Sequence, residues 1–270
     1  MAYHRIASLA LVTGASSGIG RAFARKLAAH GSDLILVARD HARLDELAGD
    51  LRSAHGRRVE ILRADLTLAS ELAEVEKRLR EDGRIDLLVN NAGYGVTGGF
   101  ANLPLEDSQG QIDLNITALT RLAHAALTAM RPVRRGGIIN IASAAGMIPS
   151  PDLAVYAATK AYVSHFSQAL HSEVSGDGVT VTVVCPGFTR TEFQRRAEYD
   201  THGIPEMAWQ TAEQVVSESL DAYTHRRAPC IPGTTNRAMA GLLKLVPRSR
   251  LASVVARFSP EQATRASRAR

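Results

Sequence analysis

Along the first two-thirds of the chain, short apolar runs alternate with longer stretches whose apolar positions recur every three or four residues. The runs fall at 7–13, 33–39, 59–65, 85–91, 136–143 and 179–185. Most are continuously apolar rather than alternating, which is the pattern of parallel strands covered on both faces. The stretches between them, at 21–30, 40–55, 70–82, 105–130 and 152–174, have helical composition. Strand–helix alternation of this kind predicts an α/β fold, a doubly wound parallel sheet with right-handed crossovers. No repeat or linker interrupts it, so a single domain is expected over residues 1–233. Beyond Cys185 the period weakens. Residues 188–210 mix charges and aromatics, and a helix at 211–226, a short strand at 228–231 and a tail at 234–270 follow.

Composition narrows the class. With 270 residues, 45% hydrophobic and 22% charged, the chain can bury a sizeable core. It has no apolar run of membrane-spanning length. The apolar patch at 6–12, behind His4 and Arg5, mimics the start of a signal peptide. It is short and enters a glycine-rich segment without a cleavage site, so it reads as a buried strand. Cys185 and Cys230 have no metal spacing and are too few for a disulfide framework, which suits reduced thiols in a cytoplasmic protein. The nine histidines are scattered, and no metal site is expected.

Charge is uneven. From residue 234 onward eight basic residues face one acid, a net +7 in a chain whose total is +5, so residues 1–233 carry −2. The body is therefore not a nucleic-acid binder. In the tail, 238–246 and 251–258 alternate apolar and basic groups at helical spacing. Such a segment is expected to pack over the substrate cleft or a partner subunit, the alternative being peripheral contact with an acidic membrane surface. Residues 264–270 are expected to be disordered.

Three motifs carry chemistry. Thr13-Gly14-Ala15-Ser16-Ser17-Gly18-Ile19-Gly20 follows the first strand and opens a helix, the context in which a glycine loop and a helix N-terminus receive a pyrophosphate. The second strand ends in Ala38-Arg39, where an acid would favour NAD(H) by binding ribose hydroxyls. Arg39 instead offers a 2′-phosphate a bidentate partner, which favours NADP(H), with NAD(H) as the alternative and Asp40 as a neighbour that blunts the charge. Tyr156 and Lys160 stand one helical turn apart with Ala157, Ala158 and Ala161 around them, so a phenol and an ammonium meet one object that lies close to the helix.

Taken in order, these segments resemble the classical short-chain dehydrogenase/reductase family over residues 6–232, which implies a Rossmann-like fold. TGASSGIG matches the family's cofactor loop, Asn90-Asn91-Ala92-Gly93 its NNAG element and Tyr156-Ala157-Ala158-Thr159-Lys160 its YxxxK motif. Ser143 lies thirteen residues before Tyr156, Asn115 sits in the long helix, and Pro186-Gly187-Phe188-Thr189-Arg190-Thr191 matches the PGxxxT segment. The resemblance implies that Ser143, Tyr156, Lys160 and Asn115 are catalytic. Tyr156 would exchange the proton, Lys160 would lower its pKa and hold the nicotinamide ribose, Ser143 would bind the carbonyl oxygen, and Asn115 would hold a water leading to Lys160. It implies that the cofactor lies against Gly14, Ser16, Ser17, Gly18, Ile19, Gly20, Arg39, Asp65, Leu66, Asn91, Ala92, Gly93, Tyr156, Lys160, Pro186, Gly187, Thr189 and Thr191. A free tyrosine has a pKa of about 10, so use as a base near neutrality needs a shift of roughly 2–3 units.

Residues 188–210 are expected to form the substrate lid, since irregular segments carry specificity. Phe188, Phe193, Tyr199, Met207 and Trp209 would line an apolar pocket completed by Tyr94, Val96, Ala145, Met147 and Pro149. Arg190, Arg195 and Arg196 either face solvent or meet an acidic group. The expected substrate is a largely apolar ketone or aldehyde and its alcohol. The helices at 105–131 and 152–175 offer a self-association face for a homo-dimer or homo-tetramer, as in the resembling family. The competing class is a catalytically silent dinucleotide-binding regulatory or scaffold protein, which would have no need of the serine, tyrosine and lysine together.

Overall fold

The computed structural model describes residues 6–243. Six strands form one parallel sheet: β1 (Leu9–Thr13), β2 (Asp33–Ala38), β3 (Val59–Arg63), β4 (Ile85–Asn90), β5 (Gly136–Ile141) and β6 (Val179–Val184). Their order is β3-β2-β1-β4-β5-β6, so the winding reverses between β1 and β4. The loops leaving these two strands diverge to opposite faces and open a crevice at the carboxyl edge.

The helices are α1 (Gly18–Ala29), α2 (His41–His55), α3 (Ala69–Glu81), α4 (Leu105–Ile112), α5 (Leu119–Met130), α6 (Ala154–Glu173), α7 (Phe193–Arg196), α8 (Ala212–Thr224) and α9 (Thr234–Leu243). Alternate residues of a strand feed opposite cores, as the pleat demands. In β1, Ala10 and Val12 join the core under α1, α2 and α8, while Leu11 joins the one under α3, α5 and α6. Burial on both faces explains the unbroken apolar runs in the sequence. Asp40 starts α2 by accepting a hydrogen bond from the Arg43 amide at 3.1 Å, and Thr211 with Gln214 forms a capping box on α8.

Two expected elements differ. The helix expected over 105–130 is broken into α4 and α5 by a π turn, Asp113–Ala118, that contains Asn115. The strand expected at 228–231 is reduced to an isolated parallel bridge, Val184 to Cys230. Prolines at 229 and 232 lack amide donors, so only Cys230 continues the ladder, donating to Val183 O at 2.8 Å. In the segment 188–210, β7 (Thr189–Arg190) pairs with β8 (Gln210–Thr211) and encloses α7. The expectations for the tail from residue 244 onward lie outside the described residues. Among the described residues, no helix is long and apolar enough to cross a membrane, and no three His, Cys, Asp or Glu side chains cluster as a metal set would.

Candidate active site

The glycine loop is held from below. Gly14 has φ +64, and a Cβ there would stand 2.7 Å from Asn91 Nδ2. A Cβ on Gly20 would overlap Gly14 O and lie 2.5 Å from the same Asn91 nitrogen. Thr13 and Asn91 fix this approach: Asn91 Nδ2 donates to Thr13 O at 2.9 Å, and the amides of Asn91 and Ala92 donate to Thr13 Oγ1 at 2.9 and 3.0 Å. The helix that follows starts at Gly18 with no side-chain cap and no acid in its first turn. Its free amides and positive dipole end face the cleft, so the donor set fits a pyrophosphate. Gly20 lies beneath the loop, where its missing Cβ permits the close packing.

At the adenosine end, Arg39, Asp65 and Leu66 all line the cleft. The Arg39 side chain is 73% exposed and pairs with Asp65 at 3.6 Å. The carboxylate that blunts its charge is therefore Asp65, whereas Asp40 caps α2 and faces Arg43. Burial pushes the Asp65 carboxyl up, but hydrogen bonds from Thr67 and the charge of Arg39 outweigh it and leave it below the usual carboxylate range. Arg43 reaches across to Glu192 at 2.9 Å, tying the start of α2 to the segment after Thr191.

At the other end, Ser143, Tyr156 and Lys160 converge. Tyr156 is buried, and its ring centroid lies 5.8 Å from Lys160 Nζ. Lys160 Nζ donates to Ile141 O at 2.9 Å, which anchors it to the end of β5. Burial pushes the Tyr156 phenol up to about 12, against a smaller downward pull from its hydrogen bond with Ser143. Burial pushes Lys160 down to about 8. Desolvation of the phenolate is the larger of the two effects on Tyr156. Ser143 Oγ accepts from the Ala145 amide at 3.1 Å, which orients it at the start of the turn Ala144–Met147.

Asn115 is fully buried beside the cleft wall. The π turn aims it at the neighbouring loop: its Nδ2 donates to Tyr94 O at 2.9 Å and to Thr159 Oγ1 at 3.1 Å, and its Oδ1 accepts from the Tyr94 amide at 3.1 Å. A Cβ on Gly93 would meet Asn115 Oδ1 at 2.8 Å and Lys160 Nζ at 3.2 Å, so all three groups crowd one point. The small residues of α6 also serve another neighbour. Ala161 receives the backbone of Gly146, where a Cβ would stand 2.6 Å from the Ala161 amide nitrogen, and Ala158 is exposed. They admit the serine loop.

The substrate end is apolar. Tyr94, Ala145, Met147, Phe188, Phe193 and Tyr199 line it as expected. Val96, Pro149, Met207 and Trp209 do not. Met207 points outward at 76% exposure, and Trp209 stacks under Arg190, with the guanidinium carbon 5.1 Å from its ring. Arg190 pairs with Glu206, and Arg196 pairs with Glu192. Arg195 lies 3.8 Å from Glu192 at 76% exposure, so this acid engages two of the three arginines. Sequence reasoning missed Ile148 and Leu153, which line the cleft, while Met239, Ala240 and Leu243, part of the segment expected over the cleft or a partner subunit, line it too. The apolar periodicity around 238–246 was the available signal, but it carries no direction. The whole cleft measures about 1730 Å³. That exceeds the usual 300–1,000 Å³ of a small-molecule site and leaves room for a dinucleotide and a second ligand.

Comparison with known proteins agrees with this arrangement. The family model for short chain dehydrogenase matches residues 8–201. A 3-oxoacyl-[acyl-carrier-protein] reductase from Synechocystis sp. is 35% identical over 88% of this chain and 97% of its own length. A short-chain dehydrogenase from Sphingobium yanoikuyae, solved in complex with NADPH, is 42% identical with TM-score 0.80 over 88% of this chain and 96% of that one. A bulky-bulky ketone specific alcohol dehydrogenase from Comamonas testosteroni is 36% identical with TM-score 0.77, over 89% and 95% of the two chains. A glycine loop at the strand switch, a tyrosine and lysine on one helix, and a family match across most of the sheet lead to one assignment: the chain belongs to the short-chain dehydrogenase family of oxidoreductases.

Proposed function

We propose that the protein is an NADP(H)-dependent oxidoreductase that interconverts a largely apolar ketone or aldehyde with its alcohol, using Tyr156 as the acid/base. The observation that supports this most directly is the meeting of Tyr156, Ser143 and Lys160 at the apolar end of a cleft whose far end is the glycine loop and Arg39. The NADPH bound in the Sphingobium relative and the ketone specificity of the Comamonas relative favour the same reading. Residues 1–233 are taken as the catalytic domain with 188–210 as its lid and 234–270 as an extension. Self-association through α5 and α6 and a cytoplasmic location belong to the same proposal.

The reduced nicotinamide, when bound, supplies the hydride to the carbonyl carbon. The chain's residues handle the oxygen. Ser143 donates a hydrogen bond to it and holds it beside the phenol, where developing negative charge is stabilised. Tyr156, protonated up to about pH 12, gives its proton to that oxygen. Lys160, held by Ile141 O, places positive charge beside the phenol as the proton leaves. Asn115 positions the loop at Tyr94 and the wall around Lys160 without touching the reacting atoms. A phenol whose pKa is raised by burial is in its protonated form at neutral pH, the form that donates. Arg39 would take the 2′-phosphate, exchanging its 3.6 Å partner Asp65 for a more highly charged one.

The test is a panel of ketones with NADPH or NADH, followed at the nicotinamide absorbance band. Turnover of apolar ketones with NADPH is expected. Tyr156→Phe is expected to lower kcat by about 10²–10⁴, the usual contribution of a positioned acid, while NADPH still binds. Full turnover by that variant would remove Tyr156 from the chemistry, and NADPH binding without turnover of any carbonyl by the native chain would favour the silent binding protein.

A further inference from the structure

We propose that α9 is the wall that sets how bulky a carbonyl substrate the cleft accepts, with Ala240 and Leu243 as its specificity-determining residues. This rests on the oxidoreductase reading above and names the part of the chain that would choose the substrate. The residues of α9 that line the cleft are Thr235, Asn236, Met239, Ala240 and Leu243. Their spacing is one face of a helix, repeated over two turns. The other face is exposed at Arg237, Ala238 and Leu242, and Arg237 is tied to Glu218 at 2.7 Å. The helix therefore turns Ala240 inward as its buried residue, with Leu243 half-buried one turn on and Met239 exposed at the rim of the cleft.

Its first turn is anchored next to the reacting centre. Asn236 Nδ2 donates to Pro232 O at 2.9 Å, and its side chain meets the amide of Gln210. A Cβ on Gly187 would lie 2.5 Å from that same nitrogen, so α9 begins in contact with the Pro186-Gly187 segment. From Asn236 to Leu243 the helix advances about 10 Å at 1.5 Å per residue, which spans a fused or diaryl ring system. Along the way it packs against the serine-loop turn Ala144–Met147 and the lid turn Glu206–Ala208. Ala240 is the buried residue of this stripe at 7% exposure, and its methyl group leaves space that a larger side chain would fill. The sheet and α6 fix the phenol, and α9 fixes the distance from it to the opposite wall.

The experiment compares kcat/KM for a diaryl ketone, benzophenone, with that for a small methyl ketone, butanone, in the full chain with NADPH. Ala240→Phe should lower the benzophenone to butanone ratio by about 10- to 200-fold, the range a hydrophobic pocket gives for a steric mismatch. Leu243→Ala should raise the same ratio. NADPH affinity, read by nicotinamide fluorescence, should stay within about twofold in both variants, since the substitutions lie away from the loop that takes the pyrophosphate. If Ala240→Phe melts early by circular dichroism, Leu243→Ala and Met239→Ala decide the matter through the same ratio. An unchanged ratio in folded variants that bind NADPH overturns the inference and leaves the oxidoreductase reading intact. A native chain inert toward both ketones overturns that reading and this inference with it.

Discussion

The two ends of the cleft are built by different physics. From the glycine loop to the reacting centre the geometry is set by buried and half-buried groups bonded to one another: Thr13 to Asn91 and Ala92, Asn115 to Tyr94 and Thr159, Lys160 to Ile141. Each bond is modest, but leaving such a buried group unpaired costs about 1–3 kcal/mol, so the arrangement resists change. At the substrate end the lid is tied by exposed ion pairs, Arg190 with Glu206 and Arg196 with Glu192. Exposed pairs contribute roughly 0–1 kcal/mol each. The difference teaches that the surroundings of Tyr156 and Lys160 are over-determined, while the lid segment 188–210 is held loosely and can be altered without disturbing them.

The sharpest attack on that contrast is Gly20→Ala. Its Cβ has nowhere to go between Gly14 and Asn91, so a loss of several kcal/mol of stability, on the order of 3 or more, is expected together with loss of NADPH binding. Thermal melting and a fluorescence titration would read both. A variant that folds and binds normally would show that the cofactor floor yields after all.

Next comes Lys160→Met. The native lysine has its pKa lowered from 10.5 to about 8 by burial, so its charge opposes folding. The sign follows from proton counts: between pH 8 and 10.5 the unfolded chain binds more protons at this residue, so native stability rises with pH in that window. The variant lacks this term, which amounts to at most about 3 kcal/mol. It should therefore be most stable relative to the native chain below pH 8, with the margin shrinking as pH approaches 10.5, while turnover is lost. Denaturant midpoints across that range check the prediction, and a margin independent of pH would contradict it.

Smaller is Arg39→Ala. Losing one charge-assisted partner of the 2′-phosphate should weaken NADPH by about 1.5–3 kcal/mol, roughly 10- to 150-fold, and leave NADH almost unchanged. Equal weakening of both would detach Arg39 from cofactor choice. Smallest is Arg190→Ala in the lid, expected to change stability by less than about 1 kcal/mol despite its ion pair and its stacking on Trp209. A larger loss would mean that the lid is as tightly built as the floor.

Much of this was legible in the chain. The strands could be read because burial on both faces writes itself as unbroken apolar runs, and β6 is buried at all six positions. The Tyr156–Lys160 pair could be read because its two members are local, four residues apart on one helix. The rest depends on long-range packing, which leaves no local period. Nothing near Arg39 in sequence points to Asp65 as its partner. Trp209 has the composition of a pocket residue yet turns outward under Arg190, and α9 has an amphipathic pattern with no indication of which neighbour receives it. Asn115 was found by position, but its role as a brace between Tyr94 and Thr159 follows from the π turn, for which the sequence offers no signal.

That turn also constrains how the chain can vary. A π turn is the form one surplus residue takes when the helix on either side keeps its own register. Deleting a single residue between 113 and 118 should therefore restore an ordinary helix and leave Leu122, Ala123 and Ala126 against the sheet they cover, while removing the widened turn that aims Asn115 at Tyr94 and Thr159. Shortening here should thus cost the site before it costs the fold.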